Sequence, residues 1–421
     1  MDPRRHFMLE RAQSYQLSVP PVSSLNSSRS PSPTNEKNTT IAFAFDIDGV
    51  CVRSKTPIPG ANEALALLQQ LKIPFIFLTN GGGKTEKDHV ALLAERLHLE
   101  LSEDQFLQAH TPFKDLVTQL KDKNILVLGG TRDSMRNVAE TYGFQHVYTS
   151  SDIYKSFPDI YPFDELTSDY HEETGRQVKL NSEGRFQISA ILIWSSPRTW
   201  GLDLQIMMDL LLSEKGYVNT ISSKNGDKSL PNSGYGEDSQ PAVYWCNPDI
   251  TWATAYPLPR IAQGSFRAAL QGIWLAQTGL RHIPNETTIG KPTRATFLYG
   301  EKTLVAHNRK LHGDNAHQIE IVYMVGDNPS SDIQGANAFH SPRGIEWRSI
   351  LVETGLYVAG TKPIHEPTYI AKDILGAVKL AVAEIGAETS RSNLSKSSTL
   401  VDLTELSIME EDENVEMRKQ D

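Results

Sequence analysis

Short hydrophobic runs that end in polar residues recur along this chain. They include IAFAF at 41–45, IPFIFL at 73–78 and IEIVYMV at 319–325. Runs of this length and composition predict buried strands. The stretches ANEALALLQQL at 61–71 and KTEKDHVALLAERLHL at 84–99 instead place apolar residues at helical spacing. Because strands alternate with helices, the pattern predicts an α/β fold with a doubly wound parallel sheet.

The middle of the chain repeats this alternation. Strand-like runs occur at 124–130, 188–197 and 241–247, and a helical pattern follows at 263–279. More residues separate the strands before and after this region than are needed to complete one sheet, so an insertion is expected. We therefore predict a core formed by residues 41–111 and 286–385, with an inserted α/β cap domain at 112–285.

Four further segments depart from the strand and helix patterns. The polar, glycine-containing stretches 222–240 and 300–318 predict long surface loops. Residues 1–40 are rich in Ser and Pro and contain several arginines, a composition that fits a targeting segment and plain disorder equally. The stretch 386–421 ends in an acidic run, which predicts a disordered tail.

Composition narrows the classes of function. The 421 residues carry a formal net charge of -10, which argues against a nucleic-acid partner because no excess of positive charge meets a phosphate backbone. The two cysteines, Cys51 and Cys246, are too few for a disulfide framework or a four-cysteine metal site. No apolar run reaches the roughly 20 residues that span a bilayer, so no membrane span is predicted.

Polar side chains follow the predicted strands where these should end. They are Asp46 and Asp48 after the first strand, Thr79, Asn80 and Gly81 after the second, and Asp327 and Asp332 after the late one. Because the carboxyl ends of parallel strands meet at one edge of a sheet, we expect these residues to lie together. Lys291, in the segment GKP, adds a cation. Each residue alone also fits an ordinary turn or surface position, but the combination favours a site.

This set of residues suits phosphoryl transfer. Carboxylate and carbonyl oxygens are the ligands that Mg²⁺ prefers. Once a metal relieves their repulsion, one acid can attack phosphorus and form an aspartyl-phosphate. A second acid can protonate the leaving oxygen and then deprotonate the attacking water. Thr79, Lys291 and backbone amides would donate to the transferring group.

The segments DIDGV, LTN, GKP and GDNPSSD occur in the order found in the haloacid dehalogenase-like hydrolases, and the chain resembles that family over about residues 41–385. The resemblance implies that Asp46 is the nucleophile and a Mg²⁺ ligand. It implies that Asp48 is the general acid and base and a ligand through its backbone carbonyl, and that Asp327 is a further ligand.

The resemblance also implies roles for the remaining core residues. Thr79 and Asn80 would hold the phosphoryl group, together with the adjacent Gly81. Lys291 would neutralise charge on the nucleophile and the phosphate, and Asp332 would position Lys291.

The cap resembles that of subfamily IIA, the class of the nitrophenyl phosphatases and pyridoxal phosphatase. The segment CNPDITW is similar to an Asn-Pro-Asp segment that those proteins carry late in the cap, which makes Asn247 and Asp249 candidate substrate-binding residues. The segments HTPFK and WRSILVETGLY look like the cat eye syndrome critical region-like branch. Fungal members of that branch are associated with mitochondria, so we predict a mitochondrial location, with a cytoplasmic one as the alternative.

These observations predict a Mg²⁺-dependent phosphatase that hydrolyses a small phosphorylated metabolite and forms a homodimer through its cap. The main alternative is a catalytically weak binding or scaffold protein with the same fold, linked to glycerophospholipid metabolism. A phospho-acceptor signalling module fits less well, because a large cap is what an enzyme needs to exclude water and select a leaving group. Four tryptophans concentrate in the cap, and we expect them mostly in its core, with contact of one of them with substrate as the alternative. They are Trp194, Trp200, Trp245 and Trp252.

Overall fold

The computed structural model describes residues 40–163 and 167–392, with side chains described as far as residue 385. The predicted targeting or disordered segment falls outside the described residues, apart from Thr40. The same holds for the acidic tail after Ser392. The last helix runs from Ile374 to Ser392, so helical backbone continues past the predicted start of that tail.

Strands follow the predicted hydrophobic runs. In chain order they are β1 (Ile41–Phe45), β2 (Val52–Arg53), β3 (Thr56–Pro57), β4 (Phe75–Leu78), β5 (Phe106–Leu107), β6 (Asn124–Leu128), β7 (His146–Tyr148), β8 (Ala190–Ile193), β9 (Ala242–Trp245), β10 (Thr251–Trp252), β11 (Arg260–Ile261), β12 (Glu286–Thr288), β13 (Ile321–Gly326), β14 (Glu346–Val352) and β15 (Tyr369–Ala371).

Helices occupy most of the connections between these strands. In chain order they are α1 (Ala61–Gln70), α2 (Glu86–Leu97), α3 (Val117–Leu120), α4 (Ser134–Tyr142), α5 (Ser150–Ser156), α6 (Ser168–Thr174), α7 (Trp200–Leu212), α8 (Gln263–Thr278), α9 (Arg294–His312), α10 (Gln334–Ala338) and α11 (Ile374–Ser392). None of the helices in the described ranges is long and apolar enough to cross a membrane.

The core is a six-stranded sheet in the order β15-β14-β13-β1-β4-β5, and every neighbouring pair is parallel. Alternate residues of β1 enter two separate hydrophobic clusters, with Phe43 and Phe45 on one face and Ala42 and Ala44 on the other. A parallel sheet covered by helices needs apolar residues on both faces, which explains the uninterrupted run IAFAF. Each fully buried Phe side chain contributes about 1.5–3 kcal/mol to stability.

The cap is a five-stranded parallel sheet in the order β12-β9-β8-β6-β7. Its core contains Trp245 and Trp274, and Trp194 packs on the opposite face of the sheet. The α/β architecture with a parallel core sheet and an inserted cap is therefore confirmed. The strand Glu286–Thr288 pairs with β9, so the chain returns to the core only after Thr288, slightly later than the predicted boundary at 285.

The prediction of a surface loop at residues 300–318 is wrong. Residues 300–312 of the stretch 300–318 belong to helix α9, which lies against β4. Gly300 faces the sheet, where a Cβ would be only 3.5 Å from the side chain of Leu78. Gly300, a residue type that is common in loops, therefore lies at the contact between the helix and the sheet.

Candidate active site

The ends of β1, β4 and β13 meet at one edge of the core sheet, as their parallel pairing requires. Below the cap this edge borders a cavity of about 270 Å³. Most of the predicted site residues line the cavity, namely Asp46, Asp48, Thr79, Asn80, Gly81, Asn247, Asp249 and Asp327. Lys291 and Asp332, the other two, are fully buried behind Asp46. The structure thus brings together all ten residues, which the sequence spreads over some two-thirds of the chain.

Lys291 lies between two carboxylates. Its Nζ is 2.8 Å from Asp46 Oδ1 and 2.6 Å from Asp332 Oδ1. Burial alone would lower the pKa of Lys291, but attraction to Asp332 and Asp46 outweighs it and raises this pKa above its usual range. Lys291 is therefore a permanently charged ammonium that fixes the position of the Asp46 carboxylate.

Three buried carboxylates form a cluster that could hold a metal ion. Asp46, Asp327 and Asp332 each offer an oxygen, and these oxygens lie within 4.8 Å of one another. Burial, followed by repulsion from Asp46 and Asp332, raises the pKa of Asp327 well above its usual range. Burial raises the pKa of Asp332 to about 6, although attraction to Lys291 opposes the rise. One ammonium does not offset three carboxylates, so the cluster fits a divalent cation.

The donor set fits Mg²⁺ because it consists of hard oxygen atoms. Asp46 and Asp327 are predicted ligands that the structure does place in the cluster. Asp332, which sequence reasoning assigned to Lys291, contacts Lys291 and also belongs to this cluster. When bound, the ion would offset the carboxylate charge and withdraw electron density from phosphoryl oxygens.

Two glycines leave room for Asp327. A Cβ at either Gly49 or Gly355 would overlap the Asp327 carboxylate. The carboxylate is held from the same side, because Leu356 N donates to Asp327 Oδ2 at 2.7 Å. The sequence predicted a turn at Gly49 and no role for Gly355, since a close approach of a side chain to the backbone has no signature in one sequence.

Asp48 lines the cavity two residues after Asp46. Burial, reinforced by repulsion from Asp46, raises the pKa of Asp48 to about 7. A carboxyl group with such a pKa can both give and accept a proton near neutral pH, as a general acid and base must.

The end of β4 forms a compact turn over the cavity. Gly81 N donates to Thr79 Oγ1 at 2.9 Å. Asn80 Oδ1 accepts from Lys291 N, while Asn80 Nδ2 donates to Lys291 O and to Asp249 Oδ2 at 2.9 and 3.0 Å. The side chain of Asn80 is therefore occupied by contacts within the protein, and the amide of Gly81 by Thr79, so the hydroxyl proton of Thr79 is left to meet a phosphoryl group.

Asn247 and Asp249 connect the cap to the core. Asn247 Nδ2 donates to the backbone carbonyl of Asn80 at 2.8 Å, and Asp249 N donates back to Asn247 Oδ1 at 2.7 Å. Asp249 also accepts from Asn328 Nδ2 at 3.4 Å. Burial raises the pKa of Asp249 to about 7, although the hydrogen bond from Asn80 and the positive charge of Lys291 oppose the rise. This pair fastens the cap to the strand ends.

Several cavity residues were missed by sequence reasoning. From the cap these are Ser195, Ser196, Arg198, Thr251, Ile261 and Gln263, and from the core His89, Asn328, Ser331 and Leu356. Some of them lie inside segments whose other residues carried the prediction, as Asn328 and Ser331 do in GDNPSSD and Thr251 does in CNPDITW. Others, such as His89 in α2, belong to no recognisable motif. Two of the four cap tryptophans, Trp194 and Trp252, also line the cavity. Trp194 is fully buried there, as Trp245 is in the cap core, whereas Trp252 is exposed.

A second cleft, of about 340 Å³, lies elsewhere on the molecule between α9 and the segment that contains Glu86 and Lys114. All ten predicted site residues lie in the described part of the chain, and none of them lines this cleft. Its Glu86 carboxylate is held by Tyr142 and Thr111 at 2.5 and 2.8 Å. We assign the chemistry to the smaller cavity.

Comparison with protein families supports this assignment. Residues 43–145 match the family described as haloacid dehalogenase-like hydrolase, and residues 288–377 match a second family described as HAD-hydrolase-like. The first match contains the ends of β1 and β4, and the second contains Lys291, Asp327 and Asp332.

The chain is also similar to curated proteins. It is 37% identical over 356 residues to a mitochondrial hydrolase of Saccharomyces cerevisiae, which covers 80% of this chain and 94% of that protein. It is 35% identical over 345 residues to a cardiolipin synthase (CMP-forming) / mitochondrial hydrolase fusion protein of Schizosaccharomyces pombe, which covers 82% of this chain and 53% of the fusion.

Among solved structures, 4-nitrophenylphosphatase of Thermotoga maritima shares the fold. The TM-score is 0.51 at 18% identity, and the match covers 82% of this chain and 98% of that one. Similarity at this level concerns the arrangement of core and cap alone.

Proposed function

Since the chain belongs to the haloacid dehalogenase-like hydrolases, we propose that it is a Mg²⁺-dependent phosphatase that hydrolyses a small phosphorylated metabolite through an aspartyl-phosphate on Asp46. One observation carries the proposal: the Asp46 carboxylate lines the cavity while a buried ammonium, Lys291, holds one of its oxygens at 2.8 Å. A carboxylate fixed and desolvated in this way is poised to act as a nucleophile.

The reaction has two steps. In the first, an Asp46 oxygen bonds to phosphorus and the bond from phosphorus to the leaving oxygen breaks, while the Asp48 carboxyl gives its proton to that oxygen. In the second, the Asp48 carboxylate takes a proton from water, whose oxygen bonds to phosphorus while the bond from phosphorus to the Asp46 oxygen breaks. Inorganic phosphate leaves and Asp46 is restored. The pKa of Asp48, about 7, suits both proton transfers.

Charge on the transferring group is met by fixed donors. Thr79 and the backbone amides that follow it line the cavity beside Asp46. Lys291 contributes positive charge from behind the nucleophile, and Asp332 holds Lys291 in place at 2.6 Å. Donors that are already oriented stabilise the transition state without reorganisation. Asp46, Asp48, through its backbone carbonyl, and Asp327 would be the Mg²⁺ ligands.

The position of the cap and the segment CNPDITW support assignment to subfamily IIA and to the cat eye syndrome critical region-like branch. The two yeast relatives named as mitochondrial hydrolases support a mitochondrial location.

A second candidate is a catalytically weak binding or scaffold protein linked to glycerophospholipid metabolism. The observation that favours it is the fission-yeast relative, whose hydrolase is fused to a cardiolipin synthase. A scaffold would bind a phosphorylated ligand without sustained release of phosphate, so turnover separates the two candidates.

The test is a screen of phosphorylated metabolites for release of inorganic phosphate with Mg²⁺ present. We expect multiple turnovers on at least one substrate, abolished by Asp46→Asn and by excess chelator. Equal release by the Asp46→Asn protein would refute the mechanism, and binding without release would favour the scaffold.

A further inference from the structure

An exposed apolar hairpin lies at the mouth of the cavity. The segment 250–261, ITWATAYPLPRI, forms the antiparallel pair β10–β11 and the loop between them. Five of its large hydrophobic side chains are exposed, namely Ile250, Trp252, Tyr256, Leu258 and Ile261, with Leu258 at 62% and Ile261 at 63%. Of the exposed large hydrophobic residues of the described chain, those that line the cavity, Trp252 and Ile261, both belong to this hairpin. Single ones need no explanation, but a cluster marks a binding surface.

Hydrogen bonds hold the apolar hairpin both at its base and at its loop. At its base, Ala262 N and Ser265 Oγ donate to Ile250 O at 2.9 and 2.7 Å. In its loop, Ala255 N donates to Ser54 Oγ of the core at 3.0 Å. The backbone is therefore held in place while the hydrophobic side chains face outward.

The surface of the apolar hairpin is almost free of charge. Arg260 is its single ionisable side chain apart from Tyr256. The Arg260 guanidinium stacks 4.2 Å from the centre of the Tyr256 ring, and its Nε donates to the carbonyls of Leu258 and Pro259. The Arg260 guanidinium is therefore bound within the hairpin, and the rest of the hairpin surface is apolar and available to a ligand.

The hairpin is continuous with the cavity. Trp252, Ala253 and Ile261 line the cavity that contains Asp46. The hairpin begins directly after Asp249, which accepts a hydrogen bond from Asn80 at the strand edge. An occupant of the hairpin therefore lies beside the phosphoryl site, where the leaving group of a substrate must be.

We propose that the apolar hairpin binds the leaving group, and that the substrate is a phosphomonoester whose leaving group carries an apolar chain. This inference rests on the proposed function. Ser195, Ser196 and Arg198 line the same cavity and add polar side chains to its wall. The combination of a polar wall and an apolar mouth matches an amphiphile, with its phosphate on Asp46 and its chain along Trp252 and Ile261.

The test uses a series of n-alkyl phosphates from ethyl to octyl, each below its micellar concentration. Their binding to the Asp46→Asn protein in Mg²⁺ is measured by calorimetry, and their hydrolysis by the wild-type protein in parallel. Full burial of a methylene is worth about 0.8 kcal/mol, so affinity should rise by up to about fourfold per added methylene. Trp252→Ser and Ile261→Ser should flatten this dependence, whereas Ile221→Ser, at an exposed cap position outside the hairpin, should leave it unchanged.

Equal affinity for ethyl and octyl phosphate overturns the inference, even if the protein is a good phosphatase. Conversely, binding that depends on chain length without release of phosphate from any substrate defeats the proposed function, and with it the assignment of a leaving group, while it leaves the hairpin as the site that holds an apolar chain. A second copy of the chain is the other occupant to be tested, by sedimentation of the hairpin variants. If the substitutions convert a dimer to monomers and the proteins keep the alkyl preference, the hairpin is an interface between copies and the inference is wrong.

Discussion

Asn80 and Lys291, which are 211 positions apart in the chain, exchange two hydrogen bonds. Lys291 N donates to Asn80 Oδ1 at 2.7 Å, and Asn80 Nδ2 donates to Lys291 O at 2.9 Å. The second proton of the same amide reaches Asp249 of the cap. One side chain therefore joins the end of β4, the loop that carries the buried ammonium, and the cap.

Replacing Asn80 should therefore lower catalysis by displacing Lys291. In Asn80→Ala the Lys291 loop loses both bonds, and a misplacement of about 1 Å near the reacting atoms can cost about 100-fold in rate. We expect kcat to fall more than KM rises, as measured by steady-state phosphate release. Asn137→Ala, at an exposed position on α4, is the matched control. An unchanged kcat would show that the Lys291 loop keeps its position without Asn80.

The proposed role of Asp46 as nucleophile is tested by Asp46→Asn. The substitution keeps the volume of the side chain but removes its charge and nucleophilicity, so turnover should vanish on every substrate while the fold is retained. Phosphate release and thermal unfolding are measured together. Asp122→Asn, an exposed aspartate of the cap, should retain full activity.

The space around Asp327 gives a test of metal binding that does not depend on turnover. A Cβ at Gly355 would overlap the Asp327 carboxylate, so Gly355→Ala should displace it and weaken Mg²⁺ binding. We expect added Mg²⁺ to raise the Tm of the wild-type protein, because a ligand that binds only the native state stabilises it, and to raise the Tm of Gly355→Ala less.

Gly272→Ala serves as the control for this pair, since nothing lies within 4 Å of a Cβ there. It should show the full Mg²⁺-dependent rise in Tm. If Gly355→Ala also shows the full rise, then Asp327 is not a ligand.

The cap contact at Asp249 should affect choice of substrate. Asp249→Ala removes the acceptor for Asn80 and Asn328 and costs roughly 1–3 kcal/mol for the donors left without a partner. We expect kcat/KM to change unequally among phosphorylated substrates while Mg²⁺ affinity stays nearly constant. Uniform scaling of kcat/KM across substrates, or weaker Mg²⁺ binding, would contradict this role.

His110 should make stability depend on pH. Burial lowers the pKa of His110 to about 4, against an ordinary value of 6.5. Glu86 opposes the shift, and His89 and Lys114 add to it. Between about pH 6.5 and pH 4 the unfolded chain binds a proton at this position that the folded chain does not, so the native state loses stability as pH falls through this window.

The loss from His110 amounts to roughly 2–3 kcal/mol across that window. Denaturant unfolding of the wild-type protein and of His110→Gln, measured at several pH values, isolates the contribution. The variant should show a shallower decline. His146, an exposed histidine, gives the control His146→Gln, which should keep the wild-type slope.

The helix α9 shows where sequence reasoning about the fold reached its limit. Its buried positions are Thr296, Phe297, Gly300, Glu301, Leu304, His307 and Asn308, and of these only Phe297 and Leu304 are large and apolar. These buried positions have helical spacing, but most of them are small or polar, so the hydrophobic pattern of the sequence does not indicate a helix. Glu301 is tolerated there because the indole of Trp347 donates to it at 3.4 Å and Arg343 lies within 3.5 Å. Those partners come from distant parts of the chain.

The sequence by itself determined the strands of the core and the chemistry at their ends. A strand buried on both faces must be apolar throughout, so IAFAF could be recognised locally, and the aspartates after it had to lie at the sheet edge. The tertiary structure alone decided which residues surround that edge. Gly355 makes room for Asp327, Asn80 holds the Lys291 loop, and Trp252 and Ile261 form the mouth of the cavity. These relationships depend on contacts between segments far apart in the chain, and no local pattern of residues encodes the distance between two such segments.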